Sequence, residues 1–142
     1  MSGVVLVGVD GSETAKRAAQ KALTMATGLG ATLHVVSAFD SDRTEVFGSG
    51  SDTWIVSDAD DAEKVAKSVA NDLGGAPAVT YSSARGKPAE ALVKEAERLN
   101  AQLIVVGNRR MQGLGRVLGS VANTVAHTAP CDVFIAKTDI EE

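Results

Sequence analysis

Cysteine is nearly absent: Cys131 is the only one in 142 residues. An intrachain disulfide framework is therefore excluded, and the composition suits a reducing compartment. Aromatic residues are scarce too, at 4%. Long apolar runs are missing; none approaches the ~20 residues that cross a bilayer, so no membrane partner is expected. The N-terminus has no basic segment leading into an apolar one, which predicts no secretory signal and a cytoplasmic protein. Positive charge is not in excess either. The formal net charge is −4, which argues against electrostatic binding of nucleic acid. Histidine occurs only as His34 and His127. Neither has companions at metal-ligand spacing, so both are assigned packing or surface roles and no metal site is expected. There is no Walker lysine, no serine nucleophile elbow and no pair of acids of evident geometry, so no catalytic constellation is expected.

What remains is an ordinary soluble composition, 44% hydrophobic and 23% charged, with 14 glycines that imply many tight turns. The length fits a single domain, residues 1–142, with a sizeable core. The most informative stretch is LIVVGNRRMQGLGRVLGS, from Leu103 to Ser120. Leu103 to Val106 is an unbroken apolar run, the pattern of a strand buried on both faces. It breaks at Gly107 into a loop with Gly113 and Gly115 that carries Arg109, Arg110 and Arg116. A helical pattern starts after Gly119-Ser120. Strand, glycine-rich loop and helix N-terminus together suit phosphate: loop N–H groups face the anion and the helix dipole favours negative charge. Arg109 and Arg110 add forked donors that suit phosphate, the alternative being a solvated charged pair. The glycines do not make a dinucleotide fingerprint. The first lies well beyond the strand end, and no acidic residue follows about 20 positions on at the end of a next strand.

Val4 to Val9 is a second buried-strand pattern, stopped by Asp10-Gly11-Ser12. Ser12 is a helix N-cap by type, and Glu13 favours the first turn. Ala15, Ala18, Ala19, Ala22, Leu23 and Ala26 recur at helical spacing, a mostly alanine stripe that permits close packing. Gly28 and Gly30 end that helix. Leu33 to Phe39 reads as the next strand. Asp40 to Ser57 is the least regular segment, holding Gly48-Ser49-Gly50-Ser51 and the only tryptophan, and reads as a long mobile loop. Trp54 either covers the cleft or packs on a partner. A helix capped by Ser57 or Asp58 follows, with Ala62, Val65, Ala66, Val69, Ala70 and Leu73 on one face and Gly74-Gly75 at its end. Ala78 to Ala84 is a weaker, more polar strand, which places it at a sheet edge. Pro88 suits a first helical position, and Ala89, Leu92, Val93, Ala96 and Leu99 form the third stripe, ended by Asn100. After the glycine loop a helix spans about Val117 to Thr128, halted by Pro130. Cys131 reads as a buried thiol with no histidine nearby to activate it. Asp132 to Ala136 is the last strand.

Alternating strands and helices, with strands buried on both faces, predict an α/β fold: a doubly wound, five-stranded parallel sheet with helices on both faces. Ligands in such folds bind outside the strand C-termini at the topological switch point. Asp10-Gly11 and the loop from Gly107 to Gly119 lie at two such ends, so their strands should be neighbours flanking the crevice.

Several stretches together resemble the universal stress protein family. They are the Val-Asp-Gly-Ser that ends the first strand, Gly86-Lys87-Pro88-Ala89, Val-Val-Gly-Asn-Arg-Arg followed by Leu-Gly-Ser, and Ala-Pro-Cys-Asp-Val. The resemblance covers essentially the whole chain. It implies a Rossmann-like sheet of order 3-2-1-4-5 and a homodimer pairing the last strands, here Asp132 to Ala136. It also implies binding of ATP or AMP, or of cyclic AMP in some members, with magnesium held only through bound phosphates. The nucleotide-binding residues it implies are Val9, Asp10, Ala38, Gly107, Gly119, Ser120 and Val121. Asp10 corresponds to the acid near base and ribose, and Ala38 to the residue whose backbone meets the base. The family motif is Gly, two residues, Gly, nine residues, Gly-Ser. Here Arg110 stands at the second glycine and only eight residues separate it from Gly119. Arg109 and Arg110 are the added phosphate-binding candidates. The expected role is a stress-response sensor or regulator, not an enzyme. Two other readings stay open: a dimeric interaction module with a degenerate pocket, and a very slow ATPase.

Overall fold

A computed structural model describes residues 3–10, 12–39, 44–47, 54–74, 78–108 and 119–138, with the backbone alone described at 44–47, 54–59 and 108. The elements run β1 (Val4–Gly8), α1 (Glu13–Leu29), β2 (Thr32–Phe39), β3 (Thr44–Phe47), β4 (Trp54–Ser57), α2 (Asp58–Asp72), β5 (Val79–Arg85), α3 (Pro88–Leu99), β6 (Leu103–Asn108), α4 (Ser120–Thr128) and β7 (Asp132–Lys137). Five strands form one sheet in the order β5-β2-β1-β6-β7. All its pairings are parallel. This is the expected 3-2-1-4-5 order once the separate pair β3-β4 is set aside.

Alternation along the strands sends side chains to two cores. Val5 and Val7 of β1, Val35 of β2 and Val105 of β6 meet the alanine stripe of α1 (Ala18, Ala19, Ala22, Ala26) and Ala66, Val69 and Ala70 of α2. On the opposite face, Leu6, Val36, Ile104 and Val106 meet Ala89, Leu92 and Ala96 of α3 and Ala122 and Val125 of α4. Alanine on the helices and branched residues on the strands let the layers approach closely, with the strands supplying most of the volume.

The helix ends follow their local chemistry. The Ala15 N–H donates to Ser12 Oγ at 3.1 Å, so Ser12 caps α1. Gly28 lies inside the helix, and Gly30, with φ 66°, provides the left-handed C-cap. Pro88 opens α3, and Asn100 closes it at φ 54°, a conformation its short amide side chain tolerates.

Three expectations need correction. The segment Asp40 to Ser57 is not a featureless loop, because β3 and β4 pair antiparallel within it, with Phe47 opposite Trp54 and Val46 opposite Ile55. β6 does not break at Gly107: the ladder continues through Gly107 opposite Ala136 and Asn108 opposite Lys137. Gly107 is there for a close approach, since a Cβ on it would lie 3.1 Å from Thr138 Cγ2 and 3.3 Å from Ala18 Cβ. In α3 the buried face includes Ala91 and Glu95, while Val93 is only partly covered. The polar strand β5 does lie at a sheet edge, and β7 lies at the other.

Candidate functional site

The sheet order makes β1 the turning point of the winding, with β2 on one side and β6 on the other. The connections after β1 and β6 leave toward opposite faces, so the C-terminal ends of these two strands open a crevice. A cleft of about 180 Å³ lies there. Its floor is the strand ends: Gly8, Val9 and Asp10 after β1, Val36 and Ala38 on β2, and Val106 and Gly107 on β6. Its rim is formed by the N-terminal parts of three helices: Ser12, Thr14 and Ala15 at α1, Pro88 and Leu92 on α3, and Val121 on α4.

Each wall has a local cause. Asp10 is held by a turn in which the Ser12 N–H donates to Asp10 Oδ1 at 3.0 Å, the self-bonding habit of aspartate at strand ends. Val9 stays attached to β2 through its N–H, which donates to the Val36 carbonyl at 2.9 Å. Gly8 leaves room for Leu92: a Cβ on Gly8 would lie 2.7 Å from Leu92 Cδ2 and 2.8 Å from Cδ1. The cleft is thus apolar on its α3 side and polar beside Asp10, Ser12 and Thr14.

Three helix N-termini at one cleft give it a positive partial charge, which favours an anion. The N-caps of α3 and α4, Lys87 and Gly119, make no side-chain capping bond. No cluster of three or more His, Cys, Asp or Glu suited to a metal ion occurs among the described residues.

Of the residues expected at the site, Val9, Asp10, Ala38, Gly107 and Val121 come together around the cleft. Gly119 and Ser120 begin α4 immediately before Val121 but are not among the lining residues. Arg109 and Arg110 lie outside the described residues, as do Gly113, Gly115 and Arg116. Sequence reasoning missed Gly8, Thr14, Ala15, Val36 and Val106, and gave Ser12, Pro88 and Leu92 helical roles only. The switch-point rule, applied to every strand end and first helical turn rather than to two of them, would have found most of these. Cys131 is half-buried, and burial together with Asp132 pushes its thiol up from the usual range, away from nucleophilic character.

The family model for the universal stress protein family matches residues 1–137. The chain belongs to the universal stress protein family. A universal stress protein of Thermus aquaticus is 34% identical over 138 residues, covering 96% of this chain and all of the relative. A universal stress protein of Mycobacterium tuberculosis is 32% identical over 148 residues, covering 94% and 95% of the two chains. Among solved structures, a universal stress protein in complex with cAMP superposes with a TM-score of 0.70 at 27% identity, covering 96% of this chain and 97% of that one. The doubly wound sheet is therefore that of a universal stress protein. No described helix is long and apolar enough to cross a membrane.

Proposed function

We propose that this universal stress protein binds an adenine nucleotide (AMP, ATP or cyclic AMP) in the switch-point cleft and acts as a sensor or regulator, not a fast enzyme. The observation that carries the reading is the cleft itself, an apolar floor rimmed by three helix N-termini at the C-terminal ends of β1, β2 and β6. A base fits the side lined by Val36, Ala38, Pro88 and Leu92. A ribose hydroxyl fits Asp10, whose carboxylate accepts. A phosphate suits the start of α4 at Gly119 and Ser120, with the small Gly107 in the cleft floor. A relative solved with cAMP supports the same class of ligand. Arg109 and Arg110 enter on sequence grounds, as donors where the family motif has backbone and glycine.

Calorimetry with AMP, ATP, cyclic AMP and adenosine tests this. At least one nucleotide is expected to bind, and AMP more tightly than adenosine by roughly 10- to 100-fold, the worth of one strong charge-assisted contact. Silence with all four would favour the interaction module with a degenerate pocket, a reading that Arg110 in place of glycine motivates. Phosphate release from ATP over hours would favour the slow ATPase.

The partner is proposed to be a second copy of the chain. β7 is an edge strand whose Val133, Phe134 and Ile135 are only partly buried. An uncovered apolar edge invites pairing across a two-fold axis. Light scattering at micromolar concentration should give about 29 kDa, twice the chain mass of 14.6 kDa. A single-chain mass there would reject the dimer.

A further inference from the structure

Away from the cleft, five polar side chains form one chain of hydrogen bonds between β2, β5 and α3. His34 Nδ1 lies 2.6 Å from Thr80 Oγ1, and His34 Nε2 lies 2.8 Å from Ser82 Oγ. The Ser82 hydroxyl donates to Glu95 Oε2 at 2.8 Å. Arg98 closes the chain with two bonds, Nε to Glu95 Oε1 at 2.9 Å and a second nitrogen to Oε2 at 2.6 Å. His34 and Glu95 are each only 7% exposed.

The direction of the bonds can be assigned by counting protons. A carboxylate clamped by a guanidinium has none to give, so the single proton of Ser82 goes to Glu95. Ser82 Oγ must then accept, and the proton comes from His34 Nε2–H. A neutral imidazole has only one N–H, so Nδ1 is bare and accepts from the Thr80 hydroxyl. Every bond then points from Thr80 toward Glu95, and each polar atom is satisfied with His34 neutral. A second proton on Nδ1 would set a donor against the Thr80 hydroxyl and place a positive charge in an enclosed site.

We propose that this chain of hydrogen bonds is a pH-responsive latch, which locks α3 and the edge strand β5 onto β2 while His34 is neutral and loosens them when His34 takes up a proton. The charged groups around His34 are few. α3 contributes Glu95, 3.8 Å from Nε2, and Arg98 beyond it. β5 contributes only the hydroxyls of Thr80 and Ser82, and β1 sets Leu6 opposite His34 in the ladder. Burial holds His34 below the usual histidine range; Glu95 pulls it back up in part, and Arg98 adds to the lowering. Arg98 holds the Glu95 carboxyl below its usual range, so the acceptor end of the chain stays charged.

The sign follows from linkage. The unfolded chain takes up a proton on histidine near pH 6.5, and the folded chain resists it to a lower pH. The latch therefore contributes its full stability above about pH 6.5 and loses it as pH falls toward the folded value. Ser82 beside a histidine is not a nucleophile here. Its proton is committed to Glu95, His34 Nδ1 faces a hydroxyl and not a carboxylate, and neither Ser82 nor His34 lines the cleft. The latch matters to the cleft because α3 also carries Pro88 and Leu92, and β2 carries Val36 and Ala38. Its existence does not depend on what the cleft binds.

The test is a ¹H–¹⁵N titration of the imidazoles in the full chain, with His127→Gln to assign the two histidines, alongside thermal unfolding from pH 7 to pH 5. His34 is expected as the Nε2–H tautomer, titrating below the usual range. The Tm of the unmutated chain should fall by a few degrees more than that of His34→Gln over the same interval. Should His34→Gln not fold, Glu95→Gln keeps the test open. It retains an oxygen acceptor for Ser82 and removes the charge that supports imidazolium, so the titration of His34 and the fall in Tm should both move to lower pH. An Nδ1–H tautomer, titration of His34 at or above pH 6.5, or parallel pH profiles for the unmutated chain and His34→Gln would each overturn the latch.

Discussion

Ile104→Ala should cost about 3–5 kcal/mol of folding stability, the upper part of the range for such truncations. Ile104 is fully buried in β6, between β1 and β7, on the face covered by α3 and α4. The cost depends on how far the surroundings collapse into the space left behind. Here the helices opposite present the small side chains Ala89, Ala96 and Ala122, with Leu92 and Val125 as the larger ones. Alanine has no rotamer through which to fill a gap, and the strand neighbours are fixed by the ladder to β1 and β7. The cavity therefore persists, and both the transfer and cavity contributions apply. Ile104→Val removes one methylene and should cost only about 0.5–1.5 kcal/mol. Urea unfolding of both variants, analysed at constant m-value, measures the difference. A loss below about 2 kcal/mol for the alanine variant would mean that α3 or α4 moves inward or that Leu92 turns into the space.

That packing is also why so much of the fold could be read from the sequence. The strands buried on both faces appear as runs such as Val4-Val5-Leu6-Val7, and the helices as alanine stripes at a period that matches only a helix. Ser12, Gly30, Pro88 and Asn100 mark helix ends because their chemistry is local: a side chain or a backbone angle within three residues decides the outcome. The polar β5 could be assigned to an edge because a central strand would bury its serines and threonines. What escaped notice was non-local or too short. Thr44–Phe47 and Trp54–Ser57 are four residues each, too few to show a period of two, and Gly48 to Ser51 between them resembles open loop. Gly107 looked like a strand breaker because sequence cannot separate a glycine that turns from one that lets Thr138 and Ala18 approach. The His34 latch joins residues 48 and 13 positions apart through Ser82, and each member alone is an ordinary polar residue. The cleft was legible at Val9, Asp10, Ala38, Gly107 and Val121, where motif and switch point coincide. It was not legible at Gly8 or Leu92, whose partnership exists only after α3 folds back across the sheet.

That partnership gives the sharpest functional test. Gly8→Ala should leave the chain folded with little loss of stability yet weaken nucleotide binding by roughly 5- to 150-fold. A Cβ at residue 8 would meet the tip of Leu92 at 2.7–2.8 Å, closer than carbon atoms tolerate. The β1 backbone is held on both sides, by β2 and by β6, so it is Leu92 that yields. A leucine tip can swing by changing rotamer, and the space beside it is the cleft that Gly8 and Leu92 both line. In the ligand-free protein the clash is relieved at small cost, because the tip turns into an opening. In the proposed binding mode a nucleotide fills that opening, so binding presses Leu92 back against the new methyl group. The work of overpacking, about 1–3 kcal/mol, is then charged to the ligand and appears as the stated fold-change. Gly8→Ala combined with Leu92→Ala removes the clash and should recover part of the affinity while losing core stability, a non-additivity expected of residues in contact. Calorimetry with AMP on the two variants and the parent, with urea unfolding run in parallel, separates the effects. An affinity unchanged in a folded Gly8→Ala protein would show that the ligand does not use the α3 wall, and the base would have to be placed elsewhere.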